Sequence, residues 1–87
     1  MSRIGADIEG MSQLHGQLQQ KAQQVQALRS QLTNLVQSTY WEGPAAQRFK
    51  EAWNSQYNPS LTKLEQALNE LGNEVRNRKE ALVQVSS

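Results

Sequence analysis

The stretch STYWEGPAAQRFKEAW, residues 38–53, lies at the middle of the 87-residue chain and decides how the chain folds. It contains most of the aromatic residues and one of the two prolines. A residue before proline is pushed out of the α region towards extended backbone, so Gly43 suits a helix N-cap. Pro44 has the fixed φ of a first helical position. The stretch therefore predicts a short connection, residues 39–43, between two antiparallel helices.

Before the connection, residues from about 4 to 38 follow the spacing of one long helix. Two neighbouring apolar lanes run along it and share Leu18, Val25 and Leu32. Together they form a stripe wide enough to contact more than one neighbouring helix. The first lane is Ile4, Ile8, Met11, His15, Leu18, Ala22, Val25, Arg29, Leu32 and Val36, and the second is Leu14, Leu18, Lys21, Val25, Leu28, Leu32 and Leu35.

After the connection, a second helical pattern covers residues from about 44 to 84. The sequence shows no alternating strand pattern, so the predicted fold class is all-α. The apolar positions of this helix are Ala46, Phe49, Trp53, Tyr57, Leu61, Leu64, Leu68, Leu71, Val75 and Leu82, of which Phe49 and Trp53 are expected in the core.

Pro59 conflicts with an uninterrupted second helix, because proline removes a hydrogen bond and crowds the preceding turn. One interpretation is a break, with Asn58 capping a new helix. The other is a kink in one continuous helix. The apolar phase passes from Trp53 through Tyr57 and Leu61 to Leu64 without a reset, so we favour the kink.

Two long helices joined by a short connection form a hairpin whose wide stripe has no third element to cover it. A single domain of this length buries only about 60–65% of the surface of its unfolded chain, so a second chain is expected to add stability. We therefore predict a helical hairpin, residues 1–87, that dimerises into a four-helix bundle. The predicted core and dimer interface is Leu14, Leu18, Val25, Leu28, Leu32, Leu35, Phe49, Trp53, Leu64, Leu68 and Leu71.

Composition argues against several functions. A net charge of +1 does not fit a nucleic-acid binder with a basic surface. No apolar run has the roughly 20 residues that span a membrane, and the N-terminal sequence lacks the apolar block of a signal peptide. With one His and no Cys, we expect no metal site, no cofactor and no catalytic nucleophile–base pair. The expected function is protein–protein interaction.

Trp41-Glu42-Gly43, placed between two long helices at mid-chain, resembles the WXG family of small ESAT-like proteins exported by type VII secretion. The continuation through Phe49 and Trp53 is also similar, and the resemblance covers essentially the whole chain. It implies export as a folded four-helix dimer without a cleaved signal peptide, to the cell surface or beyond. It also implies recognition by the ATPase of the secretion machine, and no catalysis.

For Trp41, two compatible interpretations remain: a cap over the first helix near Leu35 and Val36, and half of a recognition surface completed by a partner. Gly43 belongs to the same motif, although backbone geometry alone accounts for it. The hairpin partner is a second copy or a similar small protein.

The family's usual Tyr-x-x-x-Asp/Glu signal does not occur after the second helix. Tyr40 is followed four residues on by Pro44, and Tyr57 by Leu61. The signal is then supplied by a partner or has been lost. Two alternative functions stay open: a targeting chaperone for a larger type VII effector, and an intracellular coiled-coil adaptor.

Overall fold

A computed structural model of the protein describes residues 7–86, and side chains through residue 85. These residues are helical apart from Asp7 and the connection, and they contain no strand, which confirms the all-α prediction. The predicted beginning of the first helix near residue 4 lies outside the described residues. In chain order the elements are α1 (Ile8–Ser38), the connection 39–43, α2 (Pro44–Ala52), a π-helical turn (Trp53–Tyr57) and α3 (Asn58–Ser86).

The elements form a rod of 65 × 17 × 17 Å, in which α1 runs antiparallel to α3. Two contacts fix the register of this hairpin. The Arg29 guanidinium lies 3.2 Å from a Glu65 carboxylate oxygen, and the His15 ring nitrogen Nδ1 lies 2.8 Å from the Gly72 carbonyl oxygen. The later residue of α1 therefore lies beside the earlier residue of α3. We call α1 the first arm and the helical residues 44–86 the second arm.

The second arm accommodates Pro59 by a π-helical turn. The Asn58 N–H donates to the Trp53 carbonyl, five residues back, instead of four. Asn58 has helical φ and ψ of −61° and −47°, so the break with Asn58 as an N-cap does not occur. The expectation of an unbroken apolar phase was wrong as well. Because the π turn contains one extra residue, the positions that face α1 after Trp53 are Asn58 and Leu61, and Tyr57 is exposed.

The contact between the arms, which we call the seam, combines apolar side chains with small and polar ones. Ala22, Ala46 and Trp53 are its buried hydrophobic residues, and Gly72 is buried against Leu18 and His15. The other seam positions are partly buried at heptad spacing: in α1 Ile8, Met11, His15, Leu18, Val25, Arg29, Leu32 and Val36, and in α3 Asn58, Leu61, Glu65, Leu68, Val75, Lys79 and Leu82.

Several polar groups within the seam are hydrogen-bonded to one another near the first turns of α3, although Arg29 Nε and Asn58 Oδ1 are buried there without a partner. Arg29 donates to the Thr62 hydroxyl at 2.9 Å as well as to Glu65. The Trp53 indole N–H donates to the Thr33 hydroxyl at 3.2 Å, and that hydroxyl donates to the Arg29 carbonyl. These partly buried bonds hold one register, because a shift of either arm would leave several polar groups without partners.

Candidate recognition surface

The connection depends on an unusual backbone conformation at Gly43. Its φ is 105° and its ψ is 173°, and it has the only positive φ among the described residues. The sequence predicted ordinary extended backbone here, which was correct for ψ but wrong for φ. Residues with a side chain avoid this region because Cβ collides with the backbone, and it is populated almost entirely by glycine.

Gly43 nevertheless serves as the N-cap of α2, with Pro44 at the first helical position. Its carbonyl accepts the Gln47 N–H at 3.1 Å, which begins the hydrogen bonding of the helix. A Cβ placed on Gly43 would meet no atom within 4 Å. The position therefore requires glycine for its backbone conformation and not for lack of space.

Trp41 lies beside the connection and is only partly covered. Its ring centroid is 5.8 Å from that of Phe49, with the ring planes tilted by 53°, a favourable aromatic arrangement. Both rings remain 45% exposed. With Leu35, Val36 and neighbouring side chains they line a pocket of about 250 Å³. Trp41 thus covers part of the end of α1 and also presents indole surface to the outside.

The large apolar side chains that belong to the second lane alone, and their counterparts on the second arm, are left outside the seam. In contrast to Trp53, which is 6% exposed, these side chains are between 47 and 59% exposed. We call them the apolar face: Leu14, Leu28 and Leu35 of α1, Tyr57 of the π turn, and Leu64 and Leu71 of α3. Of the predicted core and interface residues, Leu18, Val25, Leu32, Trp53 and Leu68 lie in the seam, and the remainder lie on this face or, for Phe49, next to the connection.

The exposed residues of the two arms lie on the same side of the rod. Two antiparallel helices are related by a local twofold axis perpendicular to the plane that contains them, so equivalent heptad positions lie on the same side of that plane. Leu28 immediately precedes the seam residue Arg29, and Leu64 immediately precedes the seam residue Glu65. Leu14, Leu35, Tyr57 and Leu71 occupy the same heptad position. The six side chains therefore make one continuous face.

The opposite side of the seam is polar. Thr33 and Thr62 occupy equivalent positions there and accept the bonds from Trp53 and Arg29. The hairpin thus has one apolar and one polar flank, and Trp41 and Phe49 continue the apolar flank past Leu35 to the connection.

Sequence reasoning placed His15 and Arg29 on an apolar lane of the first helix. It did not identify this lane as the one that faces the second arm, and it missed Glu65 and Thr62 as the counterparts of Arg29. The heptad spacing of Asn58, Glu65 and Gly72 was a usable signal, obscured by the more hydrophobic lane beside it. The pairing role of the apolar face, and the recognition role of Trp41, remain predictions.

The part of the chain that the structure describes offers neither a metal site nor a membrane-spanning helix. In residues 7–86, no three His, Asp or Glu side chains come close enough together to bind a metal ion. None of the described helices combines the length and the hydrophobicity needed to cross a bilayer.

The model of the WXG100 family, described as proteins of 100 residues with WXG, matches residues 3–85. Trp41-Glu42-Gly43 lies near the middle of the matched region. No curated protein and no solved structure matches the chain.

Proposed function

Because the chain belongs to the WXG100 family of small helical proteins associated with type VII secretion, we propose that it is exported, as substrate or co-secreted partner, in the form of a four-helix dimer. Members of the family typically pair with similar small helical proteins, and none is known as an enzyme. In this proposal the hairpin folds and pairs in the cytoplasm, and it leaves the cell without a cleaved signal peptide.

The observation that carries the proposal is the continuous apolar flank from Leu14 to Trp41. In a lone hairpin these large side chains leave about half of their surface in water. Burying the exposed half of one leucine against a partner contributes roughly 1 kcal/mol. Six such side chains on one flank form the kind of exposed apolar patch that marks a protein-interaction surface. Pairing through this flank would give the four-helix bundle.

Trp41 is proposed as this chain's contribution to recognition by the secretion ATPase. Its contact with Phe49 fixes the ring, so the exposed indole surface is already ordered before binding. Partly exposed tryptophans with fixed geometry are frequent anchors of protein interfaces. The adjacent pocket, lined by Leu32, Leu35 and Val36, can receive an apolar side chain from the bound protein.

The proposal is tested by an export assay of Trp41→Ala in a strain with a working type VII system. We expect extracellular protein to fall at least about tenfold while the cellular level is maintained, because one anchor residue commonly contributes 2 kcal/mol or more. Tyr40→Ala is the matched control, since Tyr40 is the neighbouring aromatic residue and is 85% exposed. It should be exported normally.

Circular dichroism and thermal unfolding of Trp41→Ala establish that the hairpin is intact. Loss of the aromatic contact is expected to cost only about 1 kcal/mol. Export of a folded Trp41→Ala at the wild-type level would refute the recognition role. Retention of the wild-type protein in the cell, bound to one large effector, would instead identify a targeting chaperone, and retention without such a partner would favour the adaptor.

A further inference from the structure

A lysine interrupts the leucines of the apolar face, and among the described residues no carboxylate oxygen lies within 4.0 Å of its ammonium group. Lys21 occupies the same heptad position as Leu14 and Leu28 and lies between them on α1. Because Gly72 packs against Leu18 and His15, Leu71 lies at about the level of Lys21 on the other arm. The ammonium group is thus surrounded on its own face by leucines. It lies near the middle of α1 (Ile8–Ser38), in the centre of any interface formed along the rod.

The chain itself offers Lys21 no counter-charge. Residues 10–41 contain no Asp or Glu, and the positions one helical turn away from Lys21 are Gln17, Leu18, Gln24 and Val25. Of the four carboxylates of α3, Glu65 is paired with Arg29 and Glu74 with Arg78 at 3.0 Å, and neither Glu70 nor Glu80 occupies the heptad position of the apolar face. Arg78, the other cation at this heptad position, therefore has an acidic partner on its own arm.

A second copy of the chain does not supply the missing charge. In a symmetric dimer with the hairpins in opposite directions, α1 packs along α1 of the other copy, which has no carboxylate in residues 10–41. The two Lys21 residues then lie near the symmetry axis. With the hairpins in the same direction, Lys21 meets leucines of α3, where Glu65 and Glu74 are already paired with arginines of their own chain. Both lysines then lie at the same level of the bundle. Each arrangement removes two cations from water without compensation, which is costly.

We infer that the apolar face binds a different helical hairpin, one that carries an Asp or Glu at the middle of its own apolar face, opposite Lys21. This inference rests on the proposed pairing function and specifies the partner for it. The apolar side chains provide affinity, and the ion pair selects the partner and its register, because a mismatch leaves a charge buried alone.

The test uses the chain itself as the acidic partner. Wild type, Lys21→Leu and Lys21→Glu are prepared separately, and their association is measured by sedimentation velocity at roughly 1 to 100 µM, concentrations at which weak pairs dissociate. Wild type alone is expected to dimerise at least about tenfold more weakly than Lys21→Leu. An equimolar mixture of wild type and Lys21→Glu is expected to form mixed dimers at least about tenfold more tightly than either alone, with the advantage reduced by salt.

Lys63→Leu is the matched control, because Lys63 is exposed on α3 and lies away from the apolar face. It should leave association unchanged, and circular dichroism should show all variants helical. A wild-type dimer that is as tight as the Lys21→Leu dimer would overturn the inference but leave the pairing function standing. Absence of association in every sample would also overturn it, and the Trp41 export assay would then judge the proposed function separately.

Discussion

The seam and the apolar face run side by side along the same two arms, but they differ in side-chain type and in exposure to water. The seam contains Ala22, Gly72 and the polar group of Arg29, Glu65 and Thr62. The apolar face has leucines and a tyrosine that remain about half exposed. Large apolar side chains are therefore divided between the seam, which buries Trp53 and several leucines, and a face that stays about half exposed.

This difference separates two tasks. Polar contacts in the seam specify register, since each donor must meet its acceptor, but such contacts add modest net stability. Apolar side chains contribute more free energy per contact but specify geometry less sharply. The seam thus joins hydrophobic burial to polar contacts that set the register, whereas the face is hydrophobic surface that only the proposed partner would cover. Three substitutions test whether the two regions are independent.

The largest effect is expected from Leu28→Glu on the apolar face. In the Lys21→Leu background, where self-association should be strongest, it is expected to weaken pairing by roughly 100-fold or more. The reason is that it removes the burial of a leucine and adds an uncompensated charge. Gln26→Glu adds the same charge at an exposed position away from the apolar face and should change pairing little. Equal weakening by both variants in sedimentation velocity would place the interface elsewhere.

A smaller effect is expected from Gly43→Ala at the connection. The strained φ should lower the free energy of unfolding by about 1–3 kcal/mol, measured by urea denaturation. Gly16→Ala is its control: Gly16 is helical and a Cβ there meets nothing within 4 Å, so alanine should stabilise by up to about 1 kcal/mol. If alanine at position 43 left stability unchanged, the positive φ would not be needed for the turn.

The smallest effect, and of opposite sign, is expected from Gly72→Ala in the seam. A Cβ on Gly72 would lie 3.6 Å from His15 and from Leu18, an ordinary contact distance. The higher helix propensity of alanine should then raise the free energy of unfolding by about 1 kcal/mol or less. Pairing should not change, because Gly72 does not belong to the apolar face. Destabilisation in a thermal melt would show that the arms need a closer approach at this point.

Much of this architecture could be predicted from local features. The Gly43-Pro44 pair predicted where the connection lies, and helical periodicity predicted two long helices. Which of two overlapping lanes enters the seam could not be predicted, because they share Leu18, Val25 and Leu32. That choice depends on contacts between arms, such as Arg29 with Glu65 and His15 with Gly72, which are distant in sequence.

Two details of the candidate site also escaped prediction for physical reasons. Proline in a helix can be accommodated by a break, a kink or a π turn, and these differ by few kcal/mol, so Pro59 alone does not select among them. The sign of φ at Gly43 is likewise undetermined by its neighbours, because glycine adopts either sign at similar cost. Both outcomes are set by the path that the second arm must follow to reach α1.

The conformation of Gly43 makes the last residue of the Trp-x-Gly motif a stereochemical requirement. Its φ of 105° and ψ of 173°, reflected through the origin, fall in the extended region that L-residues occupy freely. The backbone conformation at position 43 is therefore one that a D-amino acid adopts without strain. Among the genetically encoded residues only the achiral one meets this condition. In this chain, the glycine of the motif adopts a backbone conformation that otherwise suits D-amino acids, which are not incorporated by translation.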